Sequence, residues 1–289
     1  MRVGLATIQR GRIAHLARQA RGVLTDQSRI PDRYVVLSMD PAPGPAERAL
    51  QRAVGPLAAE IALVHEPVEE TERIPLAAAR NRAIRALGDV DLAILLDVDC
   101  IPGHDLVARY VAAHVTAPAA DRLLAGPVAY LPPGRPGGLR LRAADRALAV
   151  PPTARPVPAD DELLDETRHE LFWSLSFAVR PELHERIGGF DERYVGYGGE
   201  DTDYGFRARS AGVGLVWVGG AWAYHQHHPV SDPPREHLPA IVRNARLFRE
   251  RWGRWPMEGW LRAFAADGAI DWDPSGDELR LRGDATGRL

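Results

Sequence analysis

Short apolar runs alternate with segments of helical periodicity through the first half of the chain. Four runs predict strands at residues 3–8, 34–39, 61–64 and 92–96. Between the first two, Ile13, Leu16, Ala20 and Val23 recur at helical spacing, and residues 76–87 have high helix propensity and stop at Gly88. The alternation predicts an α/β fold with a twisted, mixed, mostly parallel sheet flanked by helices, Rossmann-like in the broad sense.

The segment Asp91–Pro102, with the sequence DLAILLDVDCIP, is the centre of this pattern. Five apolar residues predict a strand that is buried on both faces. Asp97 and Asp99 follow it and flank Val98, so in extended backbone both carboxylates can point the same way. Ligands of open α/β sheets gather beyond the carboxyl ends of the strands, where two acids suit a divalent cation. An ordinary surface turn is the alternative.

The second half is less regular. The pattern predicts a helix at 105–115, a strand at 123–131, a strand at 171–180, a short helix from Pro181 and a strand at 214–218. Residues 132–161 are rich in proline and glycine and predict a long flexible loop around a short helical piece at 141–148. A mobile flap on the acceptor side and an uninvolved surface excursion are both open for this loop.

Composition narrows the class of protein. The chain has 289 residues, 45% of them hydrophobic, and a net charge of −3, which argues against a nucleic-acid binder. Its basic residues are all arginine, which suits phosphate recognition, and Cys100 is the single cysteine. No apolar run is long enough to span a bilayer, and the N-terminus resembles a strand rather than a leader. These features predict a cytoplasmic protein that contacts a membrane peripherally at most.

Two further clusters carry chemistry. Glu200, Asp201 and Asp203 open a helix predicted to run to about residue 211, where acids also serve as ordinary N-terminal charges. The segment AWAYHQHHP, residues 221–229, offers three histidines directly after a strand. Residues 237–264 have helical periodicity with arginines between the apolar positions, which fits either packing on the domain or a membrane surface. The polar residues beyond 267 predict a loose tail.

Taken together, the segments GGFDERYVGYGGEDTDYGFRARSAG and ARNRAIRAL…LLDVDCIP resemble GT-A-fold glycosyltransferases of the family 2 type, with a galactosyltransferase-type GGED carboxyl-terminal signature. The resemblance spans about residues 3–255. It implies one GT-A domain at 1–265, followed by a tail at 266–289. Within the domain it implies a nucleotide-sugar-binding half at 1–130 and an acceptor and catalytic half at 171–265.

The resemblance also implies roles for individual residues. Asp201 would be the general base, and Glu200 would orient the acceptor. Asp99 would bind Mn²⁺ or Mg²⁺, with Asp97 at the ribose or metal shell and with His225, then His227, as further ligands; imidazole favours Mn²⁺. The donor would contact Thr7, Arg10, Asp40, Arg80, Asn81 and Asp97. The acceptor would contact Trp173, Tyr197 and Gly199.

The expected function is a metal-dependent inverting transfer of a sugar from a nucleotide-sugar donor to an acceptor hydroxyl. UDP-galactose or UDP-N-acetylgalactosamine is the first expectation for the donor, although the segment SMDP supplies a single acid where the family usually has more. The acceptor, a glycan, lipid-linked sugar or small molecule, is left open. A sugar-1-phosphate nucleotidyltransferase and a noncatalytic sugar-nucleotide-binding protein are the alternatives.

Overall fold

A computed structural model describes residues 1–69, 73–116, 120–134, 138–229 and 231–283. Its main sheet has eight strands in the order β3-β2-β1-β4-β9-β6-β10-β8. The strands are β1 Val3–Gln9, β2 Arg33–Ser38, β3 Ile61–His65, β4 Leu92–Leu96, β5 Cys100–Pro102, β6 Arg122–Ala125, β7 Val128–Tyr130, β8 Leu163–Glu166, β9 Ser176–Val179, β10 Gly214–Val218, β11 Ala223–His225, β12 Ile270–Trp272 and β13 Leu279–Leu281. The helices are α1 Ile13–Thr25, α2 Gly44–Val54, α3 Leu76–Ala86, α4 Leu106–Thr116, α5 Ala143–Arg146, α6 Pro181–Ile187, α7 Glu200–Ser210, α8 Leu238–Trp252 and α9 Glu258–Ala266.

The sheet is mixed. Strands β1 to β4 pair in parallel, whereas β9 is antiparallel to both β4 and β6, and β8 is antiparallel to β10. The predicted α/β class is therefore confirmed, with a large, mainly parallel sheet flanked by helices. A separate three-stranded sheet, β5-β11-β7, lies beyond the end of β4.

Alternate residues of the central strands enter two apolar cores, one on each face of the sheet. Leu92, Ile94 and Leu96 of β4 pack with α1, α2 and α4, whereas Ala93 and Leu95 pack with α3, α6 and α7. All five are buried, as the unbroken apolar run predicts. Since β4 is central and covered on both faces, the polar residues at its carboxyl end are held at a fixed place.

Several predicted boundaries differ from the structure. The strand predicted at 123–131 is split into β6 and β7 at Gly126 and Pro127, where a Cβ on the glycine would clash with the carbonyl of Ala221. The strand predicted at 171–180 is confined to β9, because a 3₁₀ turn occupies His169–Leu171. Helix α2 was not predicted, although its buried residues Ala46, Ala49, Leu50 and Ala53 recur at helical spacing.

The carboxyl-terminal region also differs from the expected loose tail. Strands β12 and β13 form an antiparallel pair whose buried Ile270 and Leu279 pack in a third apolar cluster with α8 and α9. Ile241, Ala245 and Phe248 of α8 are buried, so the apolar stripe of this helix packs on the domain. No described helix is long and apolar enough to cross a membrane. Residues 135–137 of the predicted loop and 284–289 of the predicted tail lie outside the described residues.

Candidate active site

The chain turns at the end of β4, and this turn separates the two aspartates. The amide of Asp97 donates to the carbonyl of Leu175, and the amide of Cys100 donates back to the carbonyl of Asp97 at 2.8 Å. Residues 98 and 99 form a turn rather than extended backbone. Consequently Asp97 and Asp99 do not share partners: Asp97 faces α3 and α7, whereas Asp99 faces α1 and β11.

Arg80 connects the first aspartate to the acids of α7. Its guanidinium lies 3.3 Å from Asp97 Oδ1 and donates to Glu200 Oε1 at 2.9 Å. Arg80 and Glu200 are buried, and the two carboxylates raise the pKa of Arg80 against the effect of burial. Burial, opposed by Arg80, raises the pKa of Asp97. Residues 120 positions apart are thus held in direct contact.

Asp201 lies in the first turn of α7, beside Glu200. Burial and, second, the charge of Glu200 raise the pKa of Asp201 to about 7, while Arg80 opposes them. One oxygen of the carboxylate accepts the amide of Thr202 at 2.7 Å. The side chain retains some exposure, so it can meet a ligand. A carboxyl with a pKa near neutrality is suited to accept and release protons.

Two glycines allow the chain to enter α7 in this way. Gly198 and Gly199 have φ angles of +98° and +88°, a left-handed conformation that side chains disfavour. A Cβ on Gly199 would lie 3.3 Å from the Tyr194 ring, and one on Gly198 would lie 2.9 Å from Met257 Sδ. The GG of the GGED segment therefore sets the backbone that presents Glu200 and Asp201.

Asp99, His225 and His228 form the second part of the site. One ligand atom from each lies within 4.8 Å of the other two, and His228 Nε2 is 3.4 Å from Asp99 Oδ2. Burial lowers the pKa of His225 to about 4. Burial also acts to raise the pKa of Asp99, but His228, Arg12 and His15 outweigh it and lower that pKa. All three side chains are half-buried.

This group fits a divalent cation. Asp99 Oδ1 is buried and accepts no hydrogen bond, which leaves a carboxylate oxygen available as a ligand. One carboxylate and two imidazoles are a donor set typical of transition metals rather than Mg²⁺. Two neighbours that the sequence did not suggest, Arg12 and His15, lie 3.7 and 3.9 Å from Asp99 Oδ1. The three-residue spacing of Arg12 and His15 at the start of a helix was the sequence signal that could have indicated that both side chains lie on one face.

The histidines are placed by the small sheet. Strand β11 pairs with β5 and β7, and the amide of Gln226 donates to the carbonyl of Asp99 at 2.6 Å. Beyond β11 the chain bends, so His228 returns to Asp99 whereas His227 is exposed and lies outside the group of three. The expectation that His227 joins His225 is therefore not met, since strand periodicity no longer applies after residue 225 and His228 takes that place.

The residues predicted to contact the donor lie at the carboxyl ends of β1, β2 and β4 and on α3, mostly with protein partners. Thr7 donates its hydroxyl to the carbonyl of Leu96, and Asp40 accepts the amide of Gly11 and the side-chain amide of Gln9, each at 2.6 Å. Arg10 donates to the carbonyl of Val68 at 2.7 Å. Asn81 is bonded twice to the backbone of Phe190 and so supports the loop before α7.

The residues predicted to contact the acceptor lie near α7. Tyr197 is 40% exposed, and its ring stacks on His237 with the centroids 4.7 Å apart. Trp173 lies before β9, and its ring centroid is 5.1 Å from the guanidinium carbon of Arg155. Gly199 lies directly before α7 and has the left-handed backbone conformation described above.

Comparison with known proteins finds similarity to glycosyltransferases. Residues 166–229 match the family described as the N-terminal domain of galactosyltransferase. A validoxylamine A glucosyltransferase of Streptomyces hygroscopicus subsp. jinggangensis (strain 5008) is 33% identical over 57 residues, 20% of this chain and 14% of that protein. N-acetylglucosaminyl-diphospho-decaprenol L-rhamnosyltransferase of Mycobacterium tuberculosis (strain CDC 1551 / Oshkosh) is 32% identical over 112 residues, 36% of each. The matches thus span about a third or less of these relatives.

Two solved structures share the fold over most of the chain. GalNAc-T7, crystallised with UDP, GalNAc and Mn²⁺, has a TM-score of 0.56 at 14% identity, over 93% of this chain and 57% of that one. TarS of S. aureus has a TM-score of 0.55 at 14% identity, over 86% of this chain and 39% of that one. The GT-A fold expected from the sequence is thus confirmed over most of the chain, and residues 166–229 are similar to the galactosyltransferase family.

Proposed function

We propose that the protein is a metal-dependent inverting glycosyltransferase that moves a sugar from a nucleotide-sugar donor to an acceptor hydroxyl. One observation carries the proposal: the Asp97–Arg80–Glu200 bridge joins the acids of α7 to the turn after β4. Asp201, with its pKa near 7, and the group of Asp99, His225 and His228 therefore lie at the same end of β4.

Asp201 and Glu200 would have different roles in the reaction. Asp201 would accept the proton of the acceptor hydroxyl while that oxygen attacks the anomeric carbon from the face opposite the nucleoside diphosphate. The bond from that carbon to the phosphate oxygen then breaks, and the diphosphate leaves with the electron pair. General-base catalysis of this kind is worth ~10²- to 10⁴-fold in rate. Glu200, held by Arg80, would orient the acceptor.

Asp99, His225 and His228 would hold the cation, for which Mn²⁺ is the expected ion because two of the three ligands are imidazoles. When bound, such a cation neutralises charge on a departing diphosphate. Arg12 and His15 would help to position Asp99, since both approach its Oδ1. Asp97, paired with Arg80, remains available to the ribose or the metal shell.

A UDP-sugar, with galactose or N-acetylgalactosamine first, is the donor we expect, and the complex of UDP, GalNAc and Mn²⁺ with the similar GalNAc-T7 supports this choice. Asp40 and Arg10 would contact the nucleotide. Both already form hydrogen bonds within the protein, so the base would bind to them while these hydrogen bonds are kept. The acceptor would lie near Tyr197 and Trp173.

Incubation of the protein with Mn²⁺ and a panel of UDP-, GDP- and dTDP-sugars tests the proposal. Slow release of nucleoside diphosphate from one donor, abolished by EDTA and restored by Mn²⁺, is the expected result. Formation of nucleoside triphosphate and sugar 1-phosphate when pyrophosphate is added to the nucleotide sugar would instead favour a nucleotidyltransferase. Tight binding without any turnover would favour a noncatalytic sugar-nucleotide-binding protein.

A further inference from the structure

Arg155, in the long loop between β7 and β8, is a buried cation without a hydrogen-bonded partner. Its side chain is 6% exposed, and none of its three guanidinium nitrogens meets an acceptor in the described part of the chain. The guanidinium carbon lies 4.4 Å from the ring centroid of Trp217 and 5.1 Å from that of Trp173. The two indole rings hold the guanidinium but accept none of its hydrogens.

Arg155 lies near residues of both halves of the site. Tyr130 and Asp201 are both close enough to interact electrostatically with its guanidinium. The ring of Tyr130 is in turn 4.8 Å from that of His225, which belongs to the proposed metal group. The guanidinium is thus beside the space that an acceptor and a transferred sugar would share.

An arginine in this state is prepared to bind an oxyanion. Burial has already removed its water, so the cost of desolvation on binding is small, and a planar guanidinium can grip two oxygens at once. Burial lowers the pKa of Arg155 to about 10, which leaves it charged at neutral pH. Its nitrogens are buried, so an anion would contact them when neighbouring groups move aside.

We infer that Arg155 binds a carboxylate or phosphate group of a molecule that enters the cleft, and so selects an acidic acceptor or sugar, or grips the donor diphosphate. The inference rests on the proposed function for the identity of these molecules. The anion binding itself can be measured without turnover.

Calorimetry on the full chain with Arg155→Gln tests this inference. The first probe is UDP with Mn²⁺. Inorganic phosphate, glucuronate and glycerol 3-phosphate are then titrated in the presence of UDP and Mn²⁺. Glucose is the neutral control for glucuronate, and glycerol is the neutral control for glycerol 3-phosphate. The matched control is Arg262→Gln, whose guanidinium carbon lies 5.7 Å from the ring of Trp272, away from the cleft. Thermal unfolding of each variant checks the fold.

We expect wild-type protein to bind at least one probe through Arg155, so that Arg155→Gln lowers that affinity by about tenfold or more, as the loss of a charged hydrogen bond predicts. Arg262→Gln should leave it unchanged. A loss confined to the acids assigns the anion to the acceptor or sugar, and a loss of UDP–Mn²⁺ affinity assigns it to the diphosphate. Folded Arg155→Gln protein with wild-type affinity for every probe would overturn the inference.

If Arg155→Gln does not fold, Arg155→Lys decides the question. An ammonium keeps the charge but cannot grip two oxygens, so affinity for the bound anion must fall, and unchanged affinity overturns the inference. The proposed function fails separately, when no nucleotide sugar is turned over, and that result leaves the binding measurements standing.

Discussion

The two acidic regions of the cleft lie on opposite sides of the same sheet end, and their surroundings act on them in opposite directions. Around Asp99, two histidines and Arg12 overcome burial and lower the carboxyl pKa. Around Asp201, burial and the neighbouring Glu200 overcome Arg80 and raise the carboxyl pKa to about 7. One acid is kept ionised, as a metal ligand requires, and the other is poised to exchange protons, as a base requires.

This contrast teaches that residue type alone does not assign a role. The first-turn position of Asp201 suggests simple helix capping, but it caps no distant amide and instead shares a buried patch with Glu200 and Arg80. Asp99 and Asp97 are separated by one residue, yet only Asp99 belongs to the histidine group. The partners supplied by other elements decide what each carboxylate can do.

The largest effect should come from removing the base. We expect Asp201→Asn to lower the rate of sugar transfer by ~10²- to 10⁴-fold, because the amide cannot accept the acceptor proton. Affinity for UDP–Mn²⁺, measured by calorimetry, should be unchanged. Asp277→Asn, at an exposed position in the carboxyl-terminal hairpin, is the control. Near-normal turnover by Asp201→Asn would remove this side chain from the base role.

The metal side can be tested with neighbouring histidines. His228→Ala should raise the Mn²⁺ concentration needed for half-maximal activity by at least about 10- to 100-fold, the range that even outer partners of a metal contribute. The matched variant His227→Ala removes an exposed imidazole outside the group and should behave as wild type. Equal effects of the two substitutions, or a larger effect at position 227, would contradict the ligand set.

The pH profile separates the two regions directly. A base acts only when deprotonated, so with a pKa of about 7 for Asp201, kcat/KM should be flat above this pH and fall about tenfold per unit below it. His225, with its pKa lowered to about 4, stays deprotonated over this range. Measurements at saturating Mn²⁺ guard against loss of metal at low pH. A profile that stays flat down to about pH 5 would show that Asp201 does not limit the reaction.

Local pattern was sufficient for much of this arrangement. The buried run of β4, the helix that begins at Glu200 and the glycines before it follow from periodicity and backbone chemistry, and the clustering of Asp99 with His225 is where the resemblance placed it. What the sequence could not supply depends on tertiary contacts. Arg12 and His15 reach Asp99 only because α1 packs beside β5, and Arg155 reaches the cleft from a loop that has no periodicity.

The smallest expected effect concerns Glu200, whose charge raises the pKa of Asp201. Glu200→Gln removes this charge but keeps an oxygen that can accept the bond from Arg80 Nη1, so the fold of the cleft should be retained. With the repulsion removed, the pKa of Asp201 falls and the midpoint of the kcat/KM profile moves below 7. Transfer at low pH should therefore rise by a few-fold relative to transfer at high pH, on top of any loss of acceptor orientation. An unmoved midpoint would mean that burial alone sets the pKa of Asp201, and a midpoint moved upward would contradict the assignment of this carboxyl as the base.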